Sequence, residues 1–322
     1  MVKTNIRRRL THLATGAAAL VLLGVLAGGA QSQPGRTIRI VVPFAPGGAA
    51  SVVARLLADQ IGAMQRLTAV VENRPGGGTA IGTEEVARAT ADGNTLLINN
   101  TFLLTNALLR RQNYDPLNSF EPICKLGDQP SLLVVNSESP YRTLRDFIAA
   151  ARAKPGQLTV ATFGVSIPLE EFKRRANVDI SLVPYSGSAP AVMALLGGHI
   201  SAVVDNFATM GEHVNAGKLR ALATFAPKRI EGLGSIPTFA EAGYNEFMSW
   251  WGLFAPAKVP KETVSELIGW TMAAMQKPEV KEKLEPLGLY PTKMCGADFA
   301  AYLREQNEDF GRIIREANIK AE

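Results

Sequence analysis

Short apolar runs alternate with amphipathic stretches along most of the chain, the pattern of an α/β protein in which buried strands feed surface helices. Ile38-Arg39-Ile40-Val41-Val42 predicts a strand, residues 43–50 a loop and residues 51–61 a helix. Ala69-Val70-Val71-Glu72 predicts the next strand. A tight turn follows at Pro75-Gly76-Gly77-Gly78, then a helix over 83–89 and, past the Asp92-Gly93 turn, a third strand over 95–98. A second block opens after Asp115-Pro116, with a strand over 131–135 and a helix through Arg152 begun by the capping box of Thr143 and Asp146. Strands over 158–162, at Leu182-Val183, over 200–205 and over 219–225 then alternate with helices over 169–176 and 191–196, and from about residue 261 the pattern is mainly helical. Repeated strand–loop–helix units imply parallel strands joined by short crossovers.

The chain has 322 residues, enough for one large core or two lobes. Its 34 basic residues against 29 acidic ones suggest a basic protein, but Lys3, Arg7, Arg8 and Arg9 lie in a leader without acids. The remainder is close to neutral, which excludes nucleic acid as the main partner, because that binding needs a concentrated basic face. Arg7-Arg8-Arg9, the apolar run over 13–26 and Ala27-Gly28-Gly29-Ala30 form the three parts of a secretory signal peptide, residues 1–30, with cleavage expected after Ala30. The apolar run is shorter than the ~20 residues a spanning helix needs. The adjacent arginines leave general and twin-arginine export both open. No later segment is long and apolar enough to span a bilayer, so the mature chain is expected to be a soluble periplasmic protein. Cys124 and Cys295 permit a disulfide but do not establish one, and two small buried apolar residues is the simpler reading.

Several loops share one design: an apolar strand ends, a Gly/Pro/Ser stretch follows, and a helix begins. In parallel α/β sheets such loops lie at the carboxyl ends of strands, where ligands bind. The helix N-terminus there offers unpaired N–H groups and partial positive charge, which suits a carboxylate or phosphate. Phe44-Ala45-Pro46-Gly47-Gly48-Ala49-Ala50-Ser51 is the best example, with Ser51 placed to cap the helix. Gly76-Gly77-Gly78 fits neither a dinucleotide fingerprint nor a phosphate loop and reads as a plain turn. Enzyme signatures are poor. His199 and His213 lack metal-ligand spacing, and Gly164-Val165-Ser166-Ile167-Pro168 lacks the second glycine of a nucleophile elbow. Asp205 ends an apolar strand and is either a helix cap or a ligand contact. Trp250 and Trp251 read as core or hinge packing rather than a stacking platform.

An ordered set of short motifs resembles the extracytoplasmic receptors of the tripartite tricarboxylate transporter family, the Bug-type receptors. It runs from Pro43-Phe44-Ala45-Pro46-Gly47-Gly48 through Glu72-Asn73-Arg74-Pro75-Gly76, Ile81-Gly82 and Asp92-Gly93-Asn94-Thr95-Leu96-Leu97 to Tyr114-Asp115-Pro116. Val183-Pro184-Tyr185, Leu195-Leu196-Gly197-Gly198, Gly217-Lys218-Leu219-Arg220-Ala221-Leu222-Ala223, Ile236-Pro237-Thr238 and Glu241-Ala242-Gly243 complete it. The resemblance implies a two-lobed periplasmic-binding-protein-like (type II) α/β fold with a ligand cleft between lobes. It also implies a carboxylate ligand, no cofactor, and a partner permease of one large and one small subunit. On this basis lobe 1 is expected over 31–125 plus 230–322 and lobe 2 over 126–229, in a monomer. Three positions depart from the family pattern. Ser51 stands where Asp is usual, Pro168-Leu169 where His-Leu is usual, and Ala194 and Ser201 where Asp is frequent. The loss of charge at Ser51 suggests a cleft that does not read a ligand ammonium there and tolerates a more anionic ligand.

The expected reading is a non-enzymatic periplasmic receptor for a small carboxylate. Backbone N–H groups across Ala45, Pro46, Gly47, Gly48, Ala49 and Ala50 would hold one carboxylate, beside Ser51. Phe44 and Phe163 would form apolar walls, and Thr162, Ser166, Ser186 and Ser188, with Gly164 and Val165 between, would add contacts from the other lobe. Asn100, Thr101, Asp205 and Asn206 are further candidates. The alternatives are an exported hydrolase built on Ser166 and a receptor that feeds a membrane sensor instead of a permease.

Overall fold

The computed structural model describes residues 36–162, 166–185, 187–230 and 233–320. The expected signal peptide with its cleavage zone, and Phe163, Gly164, Val165 and Ser186 of the expected contacts, lie outside these residues. Strands β1 (Thr37–Val42), β2 (Thr68–Asn73) and β3 (Thr95–Asn100) are parallel, and α1 (Ala49–Gln65) and α2 (Ala80–Ala87) cross between them. The turn after β2 has φ of 129°, 58° and 61° at Gly76, Gly77 and Gly78, a left-handed path that glycine adopts without steric cost. Helix α3 (Phe102–Leu109) follows β3. Its sequence, FLLTNALL, is apolar on most sides and shows no stripe that would mark a helix.

Strand β4 (Phe120–Asn136) is 17 residues long and starts well before the expected 131. The second block then runs α4 (Leu144–Ala153), β5 (Thr159–Thr162), α5 (Ile167–Ala176), β6 (Ser181–Pro184), α6 (Ser188–Leu196), β7 (Ala202–Asn206), α7 (Phe207–Asn215) and β8 (Leu219–Thr224). The capping box at α4 forms as read: Asp146 N donates to Thr143 Oγ1 at 3.1 Å, and Thr143 N donates to Asp146 Oδ2 at 2.9 Å. The last part contains β9 (Met248–Pro256), α8 (Lys261–Met275), α9 (Pro278–Leu284), β10 (Tyr290–Pro291) and α10 (Gly296–Glu316). It is therefore not purely helical.

The strands form one sheet in the order β2-β1-β3-β9-β4-β7-β5-β6, with β8 and β10 also paired to β4. The first-block strands are parallel, as expected, and β5 runs parallel to β6 and β7, but β4 runs antiparallel to β7 and β8, and β9 antiparallel to both β3 and β4. The front half of β4 pairs with β9, and its back half pairs with β7 and β8. These two long strands carry the chain between the halves of the molecule. Period-2 alternation buries both faces of each half. Along β4, Leu133 and Val135 enter a cluster with Phe147, Phe172 and Phe225, while Leu132 and Val134 enter one with Leu195, Val203 and Met210. Along β9, Trp251 and Leu253 pack with Ile38, Ile40 and Leu57, while Trp250 and Phe254 pack with Leu97, Phe299 and Phe310.

The expected lobe boundary at 125/126 falls within β4, a continuous strand shared by both halves. Past residue 230, where the first lobe was expected to resume, Ile236 and Phe239 still pack in the two clusters of the second half, and the chain crosses back along β9. Cys124 and Cys295 are joined as a disulfide, which corrects their reading as separate buried residues. The bridge ties β4 to the residue that opens α10, with Cα atoms 4.0 Å apart across a sequence separation of 171.

Candidate functional site

A cavity of about 440 Å³ lies where the carboxyl ends of β1, β3, β5 and β7 face each other across the crossing strands. Its floor is Gln129 and Ser131 of β4 with Ser249, Trp250 and Trp251 of β9. Trp251 Nε1 donates to Gln129 Oε1 at 2.9 Å, which fixes both side chains in a largely buried floor. The Phe44 ring meets Trp251 edge-on at 5.3 Å and lies 6.4 Å from Phe102. These three rings form an apolar wall, and Phe102 is among the exposed large apolar residues of the chain.

Five helix starts border this space. They are Ala49 of α1, Thr101 and Phe102 of α3, Ser166 and Ile167 of α5, Gly187 and Ser188 of α6, and Asn206 ahead of α7. None of the five helices has a side-chain hydrogen bond from its N-cap residue. At α1 the N–H groups of Ser51 and Val52 turn back to the Gly48 carbonyl, whereas Ala49 and Ala50 occupy first-turn positions without an intrahelical acceptor. At α3 the Phe102 N–H is taken by Asn100 Oδ1 at 2.9 Å. Each helix start contributes about half a positive charge. No Arg, Lys or His lines the cavity among the described residues, so any attraction for an anion comes from these N-termini and from neutral donors.

Asp205 is the one acidic residue in the lining among the described residues. Burial pushes its carboxyl above the usual range, opposed by hydrogen bonds from Ser188, the Asn206 backbone and Thr209. Asn206 N and Nδ2 both donate to Asp205 Oδ1, at 2.7 and 3.1 Å, and Thr209 Oγ1 donates to Oδ2 at 2.9 Å. Asp205 thus joins the starts of α6 and α7 into one unit. It accepts from the N–H of Asn206, the N-cap residue of α7, and so braces the chain just ahead of that helix without capping it.

Of the expected contact residues, Phe44, Ala49, Asn100, Thr101, Thr162, Ser166, Ser188, Asp205 and Asn206 are brought together in the lining. Ala45, Pro46, Gly47, Gly48, Ala50 and Ser51 are not in it. Ser51 is fully buried and does not cap α1, whose N-cap is Gly48. Its Oγ instead accepts from Asn73 Nδ2 at 2.8 Å, and the same amide donates to the Phe44 carbonyl at 2.9 Å. Asn73 therefore pins the loop between β1 and α1 to the end of β2, and the change at Ser51 acts behind the cavity wall. Ser166 has neither His199 nor His213 beside it in the lining.

The sequence reading did not assign Gln129, Ser131, Ser249, Phe102 or Phe247 to the site. Asn73 was visible only as part of a motif. The strand-like composition of Ser249-Trp250-Trp251-Gly252-Leu253-Phe254 was the available signal for β9.

Two α/β halves that share crossing strands and hold a cavity at the opposed strand ends define a two-lobed solute-binding protein of the type II periplasmic kind. The chain belongs to the tripartite tricarboxylate transporter family receptor (TctC) family, whose pattern matches residues 53–319. BugT of Bordetella pertussis is 32% identical over 300 residues, covering 90% of this chain and 92% of that protein. Among solved structures, an R. palustris protein with adipate superposes with a TM-score of 0.79 at 31% identity, covering 90% of this chain and 99% of the other. MatC from Rhodopseudomonas palustris with bound malate gives a TM-score of 0.73 at 28% identity, covering 87% and 99%. The family consists of solute-binding receptors, not enzymes, and the Bug-type assignment made from the ordered motifs holds. The hydrolase alternative at Ser166 is set aside on the same ground. No helix among the described residues is long and apolar enough to cross a membrane.

Proposed function

We propose that the protein is a periplasmic receptor, exported on a leader cleaved after Ala30, that captures a small carboxylate in the cavity between its lobes and delivers it to a tripartite tricarboxylate-type permease. The observation that carries this reading is the convergence of helix starts, Ala49 foremost, on a cavity with no cationic side chain in its described lining. Such a site attracts an anion through oriented N–H groups, without a fixed counter-ion that would hold it too tightly for release. Adipate and malate in the two related structures are both small carboxylates. In this reading the lobes are the two halves of the sheet, β4 and β9 are the hinge strands, and ligand binding favours a closed arrangement that the permease recognises.

A thermal-shift screen of the purified protein against small mono-, di-, tri- and aromatic carboxylates tests the proposal. A ligand present at 100 times its dissociation constant should stabilise the protein by about 2.7 kcal/mol, a shift of a few degrees for a chain of this size. Saturable shifts confined to carboxylates are the expected result. A panel without any shift, or equal shifts from uncharged analogues, would remove the basis for a carboxylate receptor.

A further inference from the structure

Buried polar side chains ordinarily have hydrogen-bond partners, and an exception calls for a reason. Across most of the molecule the rule holds: Thr83 is bonded to Asn99, Gln129 to Trp251, Asn245 to the Pro168 carbonyl and Thr271 to the Leu267 carbonyl, while Lys125 and Glu171 are ion-paired. Among the described residues it fails at Thr101, Thr105 and Thr162, which are 6%, 8% and 5% exposed and make no side-chain hydrogen bond. All three line the same cavity. The hydroxyl oxygens of Thr101 and Thr105 are not sealed in the core. Since both residues are more than nine-tenths buried and border the cavity, that opening faces the cavity.

Thr101 and Thr105 are one turn apart on α3, where the Thr105 N–H donates to the Thr101 carbonyl at 3.1 Å. Residues four apart share a helix face, with Cβ atoms about 5–6 Å from each other. Leu103 and Leu104 turn the other way, into the core. This hydroxyl-bearing face lies beside the α1 start. Strands β1 and β3 are parallel neighbours, and the rings of Phe44 and Phe102, which follow them, are 6.4 Å apart. A carboxylate held at Ala49 therefore directs the next carbons of the ligand toward α3. A methylene placed there would leave both hydroxyls without a partner. A second carboxylate would take only their donors, and the Phe102 N–H at the same helix start is already given to Asn100 Oδ1. A ligand hydroxyl both donates and accepts, as each threonine hydroxyl does, and so matches the pair in full.

Resting on the carboxylate-receptor reading, we propose that Thr101 and Thr105 form a hydroxyl-reading subsite and that the ligand is a hydroxy acid, its hydroxyl on the first or second carbon after the carboxylate. The two threonines then determine specificity, while the α1 start supplies affinity for small carboxylates in general. Thr162 offers a third unpartnered hydroxyl from the other half of the molecule.

Acids that share one carbon skeleton test this by isothermal titration calorimetry: butyrate against 2-hydroxybutyrate and 3-hydroxybutyrate, and succinate against malate, with the enantiomers measured separately. At least one hydroxylated acid should bind about 10- to 100-fold more tightly than its parent, as expected when buried unpartnered groups gain a partner. Valine keeps the branched shape of threonine and removes the hydroxyl. In the Thr101→Val/Thr105→Val double variant the ratio of hydroxylated acid to parent should therefore collapse toward one, and each single variant should lower it. Thermal unfolding checks that the variants are folded, and the single variants serve if the double one is not. Parent acids that bind as tightly as every hydroxylated acid, or a ratio unchanged in the folded variants, overturn this inference and leave the carboxylate receptor standing. Failure of all five acids to bind overturns the receptor reading itself, and this inference with it.

Discussion

Replacing Arg174 and Arg175 together by alanine should cost about 3 kcal/mol of stability at neutral pH, with the sign of the pH dependence reversed. Glu171 of α5 is fully buried, and its carboxylate is held by Arg174 Nε at 2.8 Å, Arg174 Nη2 at 2.9 Å and Arg175 Nε at 2.6 Å. Burial acts to raise its pKa, but the combined hydrogen bonds and charges of the two arginines outweigh it and hold the group below its ordinary value. A carboxyl whose folded pKa lies below its unfolded value adds stability that is fully present above the unfolded value, about 4.3. That stability is lost as pH falls through the lower folded value. Without these two arginines burial is opposed mainly by the charge of Arg312, and the folded pKa is expected to rise above the unfolded one. The variant then gains relative stability as pH falls, because protonation removes an uncompensated buried charge. Urea unfolding at pH 7 and pH 4 reads both effects, and adding Glu171→Gln to the double variant should restore much of the loss at pH 7. A loss below about 1 kcal/mol with an unchanged pH trend would mean that water solvates Glu171 once the half-exposed arginines leave. The consequence reaches the site, since the same helix supplies Ser166 and Ile167 to the cavity and Arg174 also pairs with Glu316 of α10 at 3.0 Å.

Removing the Cys124–Cys295 bridge, by Cys→Ser at both positions, should cost about 2–5 kcal/mol and lower the melting temperature by about 4–8 °C. The bridge closes a loop with a sequence separation of 171, which restricts the unfolded chain more than a short loop would. It also fixes the start of α10 to β4, the strand that serves both halves of the sheet. Its place in the core beside α1 and β1 makes it a structural staple and not part of the cavity lining. Calorimetry of the oxidised and the dithiothreitol-reduced protein gives an independent comparison. Equal melting temperatures would show that packing around the two cysteines suffices without the bond.

The sequence was most informative where a local pattern decides the structure. The parallel sets β1–β2–β3 and β5–β6–β7, the Thr143–Asp146 cap and the glycine turn at 76–78 each rest on residues close together in the chain. The front of β4 was hidden by Pro122, Gly127 and Pro130, which ordinarily argue against a strand. They are accommodated by register shifts between Pro122 and Cys124 and between Lys125 and Gly127. Helix α7 was hidden by Gly211, yet glycine is what fits there, because a Cβ at that position would come within 2.6 Å of the Phe207 ring. The site divides in the same way. Its rim of strand-end loops was legible from Phe44 to Asn206, whereas its floor depends on the register of β9 against β4, which joins residues more than a hundred positions apart. The role of Ser51 could not be read from a motif comparison, because its partner is the Asn73 side chain at the end of β2, 22 residues away.

The central claim, that the α1 start holds a ligand carboxylate, is tested most directly by titrating the protein and its Ala49→Pro variant with adipate and 4-hydroxybenzoate. Proline at the first helical position removes one N–H while suiting the helix, and Gly48 already has the extended backbone, φ −82° and ψ 174°, that a following proline requires. Charged hydrogen bonds of this kind contribute about 1.5–3 kcal/mol. The expected result is saturable one-site binding that weakens about 10- to 100-fold in the variant with its melting temperature unchanged. Equal affinity in the two proteins, or no binding of either acid to the unaltered chain, would contradict the account.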